Sequence, residues 1–272
     1  MALVGSGGLV WAAGGASPDR EMVYKRVGDL ELRLHVFLPE DHAASDRRPA
    51  IVFFHGGGWN QGSPAQFYHQ SRYLASRGMV AISAQYRLRD PRFGVEDGKS
   101  AIRWVRRNAA ELGIDPDRIA AGGGSAGGQI AAAAGTTSAF EQEGEDPGIP
   151  SRPNALVLFN PVFDNGPGGY GHERVQEYWR AFSPMHNIHA GTPPTIVLSG
   201  TRDDRIPAET VRAYQRRMEE LGLRCDVRLY EGQRHGFFNT HNRRYFALTV
   251  IEMDRFLASL GYLEGEPTLP AP

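Results

Sequence analysis

Lysine is almost missing from this chain: Lys25 and Lys99 are the only two in 272 residues, so the basic side is nearly all arginine. The formal net charge is -1 and no basic run occurs, which argues against a nucleic-acid or other polyanionic partner. Cysteine is scarcer still. Cys225 stands alone, which excludes an internal disulfide and a cysteine-based metal cluster. It sits in "RCDVRLY", an alternating stretch that reads as a strand and not as a nucleophile's setting. No stretch approaches the ~18 uninterrupted apolar residues that signal a membrane span. What remains, 41% hydrophobic and 22% charged, is the composition of a soluble globular domain of ordinary size. The arginines, scattered along predicted helices and loops, read as a solvated surface.

Residues 1–20 read as an N-terminal arm or a signal-peptide remnant, the second of which would place the chain outside the cytoplasm; residues 21–262 read as a single domain and 263–272 as a Pro-rich tail. "EMVYKRV" and "LELRLHVFLP" alternate like strands around a Gly-Asp turn, which predicts a hairpin. "PAIVFFHGGGW" is a short Ile/Val/Phe run ending in glycine, as in a strand buried on both faces. Strands and helices then alternate. Ser63 and Pro64 look like the cap and first residue of a helix ending at Gly78, "MVAISAQY" reads as a strand, and "GVEDGKSAIRWVRRNAAELG" has helical spacing. "RIAAGG", "ALVLFNP", "PTIVLSG" and "DVRLYEG" read as further strands, with helices in "SAGGQIAAAAG", after Pro207, and in "YFALTVIEMDRFLASL". This order predicts an α/β architecture: a mostly parallel central sheet with an N-terminal antiparallel hairpin and helices on both faces. "EQEGEDPGIPSRP" reads as a surface excursion, and "DNGPGGYGHERVQEYWRAFSP" as an insertion able to roof a site at the strand ends.

"IAAGGGSAGGQ", residues 119–129, crowds glycine around one serine where a strand turns straight into a helix. A phosphate loop would need Gly-Lys-Ser/Thr, which is missing. The pattern Gly-x-Ser-x-Gly, from Gly123 to Gly127, instead suits a sharp turn that lifts the Ser125 hydroxyl clear of its neighbours, small residues relieving the clashes. Three further loops follow predicted strands. "HGGGW" offers unobstructed backbone N–H groups, and Gly57, Gly58 and Ala126 are the expected donors to an oxyanion; His55 reads as a structural anchor of that loop. "LSGTRDDRIP" presents Asp203 and Asp204, of which Asp203 is the expected partner of an imidazole, and "YEGQRHGFF" presents His235 between flexible neighbours. Ser125, Asp203 and His235 thus form a candidate nucleophile, orienting acid and general base. Trp59 is a candidate substrate contact, and Tyr86, Phe163, Tyr170, Trp179 and Phe237 are further candidates for the pocket wall.

At these residues the sequence resembles the α/β-hydrolase superfamily, in particular the esterase/lipase group that contains hormone-sensitive-lipase-like enzymes and bacterial acetyl xylan and feruloyl esterases. The likeness runs from about residue 20 to 262 through "HGGGW", "GGGSAGG", "GTRDDRIP" and "HGFF". One departure is Gly124, where hormone-sensitive-lipase relatives carry Asp before the nucleophile. With Trp59 after the glycines, that leans toward the carbohydrate-esterase side; the same feature resembles kynurenine formamidases, and "DDRIP" the acid loop of prolyl-oligopeptidase-like peptidases. The resemblance implies hydrolysis of short acyl esters, acetylated carbohydrate such as xylan first among them, with a formamide, amide or lactone as the alternative bond. It implies no metal or organic cofactor and a small-molecule or carbohydrate ester as partner.

Overall fold

The computed structural model describes residues 16–270; most of the expected N-terminal arm and the last two residues lie outside that range. Strands β1 (Arg20–Val27) and β2 (Leu30–Phe37) form the hairpin, turning at Gly28 with φ 56°. There follow β3 (Arg48–Phe54), α1 (Tyr68–Ser76), β4 (Val80–Ala84), α2 (Pro91–Arg107), β5 (Ile114–Gly124) and α3 (Ala126–Thr136). The second half comprises β6 (Ala155–Phe159), α4 (Trp179–Phe182), β7 (Thr195–Gly200), α5 (Ala208–Glu220), β8 (Cys225–Tyr230) and α6 (Arg243–Ser259). One eight-stranded sheet runs in the order β1-β2-β4-β3-β5-β6-β7-β8, antiparallel through β2 and β4 and parallel from β4 to β8.

Period-two alternation divides the core. Val52 and Phe54 of β3 face a layer built with α2, α3 and α5, whereas Ile51 and Phe53 face a layer built with α1 and α6. Burial on both faces is why these strands read as unbroken apolar runs. The chain leaves β3 for β4 in one direction and returns for β5 on the other side. Loops after β3 and β5 therefore flank the point where the strand order reverses, the crevice at which such sheets hold ligands. "HGGGW" follows the first and Ser125 the second.

Several expectations change. The helix expected from Ser63 is a 3₁₀ turn over Pro64–Phe67 followed by α1, and the Ser63 side chain makes no capping bond. Helix α2 begins earlier than the apolar spacing indicates, at Pro91, with the Asp90 side chain accepting from the Arg92 N–H at 3.0 Å. It also ends at Arg107, and Leu112 packs into the core from the turn beyond. Leu221, expected on the buried stripe of α5, is 42% exposed. The basic residues are not all solvated surface. Lys99 and Arg103 are buried on α2, and Arg77 and Arg87 pair with the buried carboxylates of Asp254 and Asp97. The excursion 141–153 does run over the surface, and Glu141 and Glu145 tie it to those α2 cations. No helix among the described residues is long and apolar enough to cross a membrane.

Candidate active site

Ser125 sits between β5 and α3 with φ 55° and ψ -120°, a strained conformation for a residue with a side chain. Its neighbours explain the glycines. A Cβ on Gly123 would stand 2.6 Å from the Phe54 carbonyl oxygen, one on Gly124 would stand 2.6 Å from Phe238 Cζ, and one on Gly127 would overlap the carbonyls of Phe54 and His55. The turn is fixed by the Ser125 N–H donating to the Phe159 carbonyl at 3.0 Å, and by the Ser125 carbonyl accepting from the N–H groups of Gln129 and Val162. The side chain stands at the apex, free of these bonds.

His235 reaches it from the loop after β8. Its Nδ1–H donates to Asp203 Oδ2 at 2.8 Å, a carboxylate being able only to accept, and this leaves Nε2 to accept from the Ser125 hydroxyl at 2.9 Å. The other carboxylate oxygen, Oδ1, takes the N–H groups of Arg205 and Ile206 at 2.9 Å each, so the loop after β7 wraps and orients the acid. The neighbouring Asp204 is exposed. Ser125, Asp203 and His235, separated by up to 110 positions in sequence, thus form one hydrogen-bonded chain across the ends of β5, β7 and β8.

Facing the serine, Gly57, Gly58 and Trp59 take three positive φ angles in succession: 114°, 61° and 57°. That turn carries Gly57 and Gly58 onto the wall of a cavity of about 410 Å³ shared with Ser125 and His235. The Gly56 N–H is already spent on Gln66 Oε1 at 2.6 Å. Ala126, the first residue of α3, has no acceptor one turn back, so its N–H is one of the helix's open donors beside the hydroxyl. His55 anchors the loop as expected: its Nδ1–H donates to the Gly56 carbonyl at 2.7 Å and its ring stacks on Tyr86. Burial pulls its pKa down to about 4, so the ring is neutral.

Trp59 is a correction. The triple turn folds its ring inward, fully buried against Phe182, with Nε1–H donating to Gln129 Oε1 at 3.1 Å, so it pins the loop to α3 and does not line the cavity. Of the other aromatic candidates, Tyr86 donates to the His55 carbonyl, Phe163 stacks on Tyr214 in the core, and Trp179 and Phe237 lie off the cavity. Tyr170 does line it, from the insertion between β6 and β7, which supplies part of one wall.

The cavity also uses residues outside the candidates named from sequence. Phe238 forms an apolar wall, Arg205 a charged one, and Asn60, Gln61, Gln66, Asn160 and Asn239 give it five carboxamides. Gln66 ties the glycine loop to the segment after His235 by donating to Asn239 Oδ1 at 3.1 Å. Amides are not reactive, so no spacing singles them out. Asn160 alone leaves a sign in sequence, an Asn at the end of an apolar strand, and it adopts a positive φ of 34° that Asn tolerates.

Two family models match the chain: one described as BD-FAE over residues 34–157, and the dienelactone hydrolase family over 170–255. Esterase LipQ of Mycobacterium tuberculosis is 29% identical over 219 residues and Esterase LipC of the same organism 32% identical over 261, covering 72% and 82% of this chain. The chain spans 51% and 62% of the length of these curated relatives. Among solved structures, Thermogutta terrifontis esterase 2 phosphorylated by paraoxon is 44% identical with a TM-score of 0.86, covering 91% of this chain and 96% of that one. Its propionate-bound form is 43% identical with a TM-score of 0.85, covering 93% and 97%. With that identity over nearly the whole of a solved esterase, and the eight-stranded sheet already described, the chain belongs to the esterase/lipase group of the α/β-hydrolase superfamily.

Proposed function

We propose that this protein is a serine carboxylesterase that cleaves short acyl esters, acetylated carbohydrate such as xylan being its natural substrate class. The observation that carries the reading is the hydrogen-bonded chain from Asp203 through His235 to Ser125. His235 Nε2 takes the hydroxyl proton as Ser125 Oγ attacks the acyl carbon, while Asp203 holds the imidazole tautomer and stabilises its charged form. The N–H groups of Gly57, Gly58 and Ala126 receive the tetrahedral oxyanion. Collapse passes the proton from His235 to the departing alcohol and leaves an acyl-serine. Water, deprotonated by the same imidazole, then attacks the acyl carbon, and the imidazolium returns the proton to Ser125 Oγ as the acyl–oxygen bond breaks and the acid leaves.

The propionate-bound form of the Thermogutta esterase supports a short acyl group, and a cavity walled largely by carboxamides and glycine backbone suits a hydroxylated alcohol better than a lipid tail. The relative's phosphorylation by paraoxon supports an activated nucleophile of the same kind here. A second reading, hydrolysis of a lactone or formamide by the same residues, draws on the dienelactone hydrolase match over 170–255.

Steady-state hydrolysis of p-nitrophenyl acetate, butyrate and octanoate by wild type and Ser125→Ala tests the reading, with acetylated xylan and N-formylkynurenine run alongside. The expected result is acetate and butyrate turnover that falls by about 10⁴-fold or more in the variant, and acetate release from xylan. Preference for octanoate would overturn the short-acyl assignment. Faster turnover of N-formylkynurenine than of any ester would move the substrate to the second reading.

A further inference from the structure

We propose that the cavity selects esters bearing a carboxylate, and that Arg205 is the specificity-determining residue that receives it. The inference rests on the serine-esterase reading above, though not on the xylan assignment, and concerns which esters the cavity prefers.

Arg205 follows Asp203 by two residues, and its backbone N–H donates to Asp203 Oδ1 at 2.9 Å. The carboxylate that orients His235 therefore also fixes where the Arg205 main chain sits. Arg205 is solvent-exposed and lines the mouth of the catalytic cavity and, together with Tyr170, an adjoining hollow of about 370 Å³. Two arginines packed beside the core are held by carboxylates, Arg87 by Asp97 and Arg103 by Glu145, whereas Arg174, beside another hollow, is held by the carbonyls of Gly58 and Arg89. The Arg205 guanidinium has no hydrogen bond or ion pair among the described residues. The hollow does contain a carboxylate, Asp164, but it accepts the Gly166 N–H at 2.7 Å and lies 3.8 Å from His186 Nδ1.

Charge in the catalytic cavity is one-sided. Besides Arg205 its walls hold glycines, carboxamides, Ser125, His235, one tyrosine and one phenylalanine, and no Asp or Glu. An anion entering this concavity meets a planar five-donor fork and amide donors, with no like charge on the lining to oppose it.

The test uses the intact protein and two matched ester pairs. In the first, 4-acetoxybenzoate and its methyl ester, the carboxylate lies on the alcohol part. In the second, mono-4-nitrophenyl adipate and 4-nitrophenyl hexanoate, it lies on the acyl part. The quantity read is the ratio of kcat/KM, anionic over neutral, in which general damage to the triad cancels. Wild type should favour the anionic member of at least one pair. Arg205→Gln should lower that ratio about tenfold or more, Arg205→Lys should retain part of it, and 0.5 M salt should shrink the wild-type preference. Which pair responds tells whether the anion belongs to the acyl or the alcohol part. Ratios that agree within twofold between wild type and Arg205→Gln in both pairs would overturn the proposal. If none of the four esters is hydrolysed, the esterase reading itself falls and takes this inference with it.

Discussion

Asn160 Oδ1 accepts a hydrogen bond from the Gly236 N–H at 2.9 Å, joining the end of β6 to the loop that carries His235. Asn160 is fully buried, and its own N–H donates to the Leu198 carbonyl at 2.8 Å, so the tether is anchored in the sheet. The loop turns at Gly236, with φ 79°, immediately after the imidazole. Asn160→Ala deletes the acceptor and lets His235 drift from Ser125. A displacement near 1 Å lowers turnover by roughly a hundredfold, so kcat for p-nitrophenyl acetate should fall about 10- to 100-fold while KM changes far less. Asn160→Asp, which keeps the acceptor, should retain more activity at the pH optimum. Equal kcat in wild type and Asn160→Ala would show that the loop is positioned without this bond.

The two glycines around the elbow should respond differently to a methyl group. At Gly124 the obstacle is the Phe238 ring, 2.6 Å from the added Cβ, and a ring can tilt. At Gly127 the obstacles are the backbone carbonyls of Phe54 and His55, held in β3 and the glycine loop. Gly124→Ala should destabilise by about 1–3 kcal/mol, the ordinary range for overpacking, and Gly127→Ala by more than that or fail to fold. Urea midpoints of purified variants measure the difference. The reverse order would mean that the elbow backbone yields more easily than the aromatic wall.

Much of this arrangement is legible in sequence because each part is local. Ile51–Phe54 shows double-sided burial by being apolar throughout, and the Gly-Asp turn gives the hairpin. Ser125, Asp203 and His235 each follow a strand, so the sheet alone brings their loops to one edge. Trp59 misleads because nothing local says which way its ring turns; three consecutive positive φ angles decide that, and two of them lie at glycines, whose φ sequence does not fix. Lys99 and Arg103 look like surface charge because their partners, Glu141 and Glu145, lie about 40 positions away in an acidic stretch that itself looks solvated. Gln66 and Asn239 are unreadable for a different reason. A carboxamide matters only through the groups it bridges, and those are set by the completed fold.

His55 makes the glycine loop sensitive to acid. Burial lowers its folded pKa to about 4, whereas in the unfolded chain it titrates near the usual value of about 6.5. Below pH 6.5 the unfolded chain takes up the proton first, so stability is lost progressively until the folded pKa is reached. The loss attributable to this residue is about 3 kcal/mol between those limits. His55→Gln should show a correspondingly shallower decline in unfolding free energy from pH 6.5 to 4, read from urea denaturation at each pH. Parallel curves for the two proteins would mean that protonated His55 is accommodated without loss of the fold.

The link between Glu141 and α2 should behave as an acid-released clasp. Lys99 Nζ donates to the carbonyls of Thr137 and Ala139 and to Glu141 Oε1, at 2.7, 2.6 and 2.8 Å, and Arg103 binds the second Glu141 oxygen. Burial would raise the Glu141 pKa, but the hydrogen bonds from Lys99 and Arg103 outweigh it and hold the carboxyl below its ordinary value. The stabilisation is therefore complete above the unfolded glutamate pKa of about 4.3 and is lost as pH falls through the lower folded value. A buried pair broken on one side costs about 3–5 kcal/mol, but the Glu141 side chain is 40% exposed, and solvent screening reduces the expected loss for Glu141→Gln to about 1–2 kcal/mol at pH 7. Amide hydrogen exchange should rise across residues 141–151 in that variant, and the stability gap to wild type should narrow as the solution is acidified. A gap of the same size at pH 7 and at pH 3 would assign the clasp to the shape of the side chain and not to its charge.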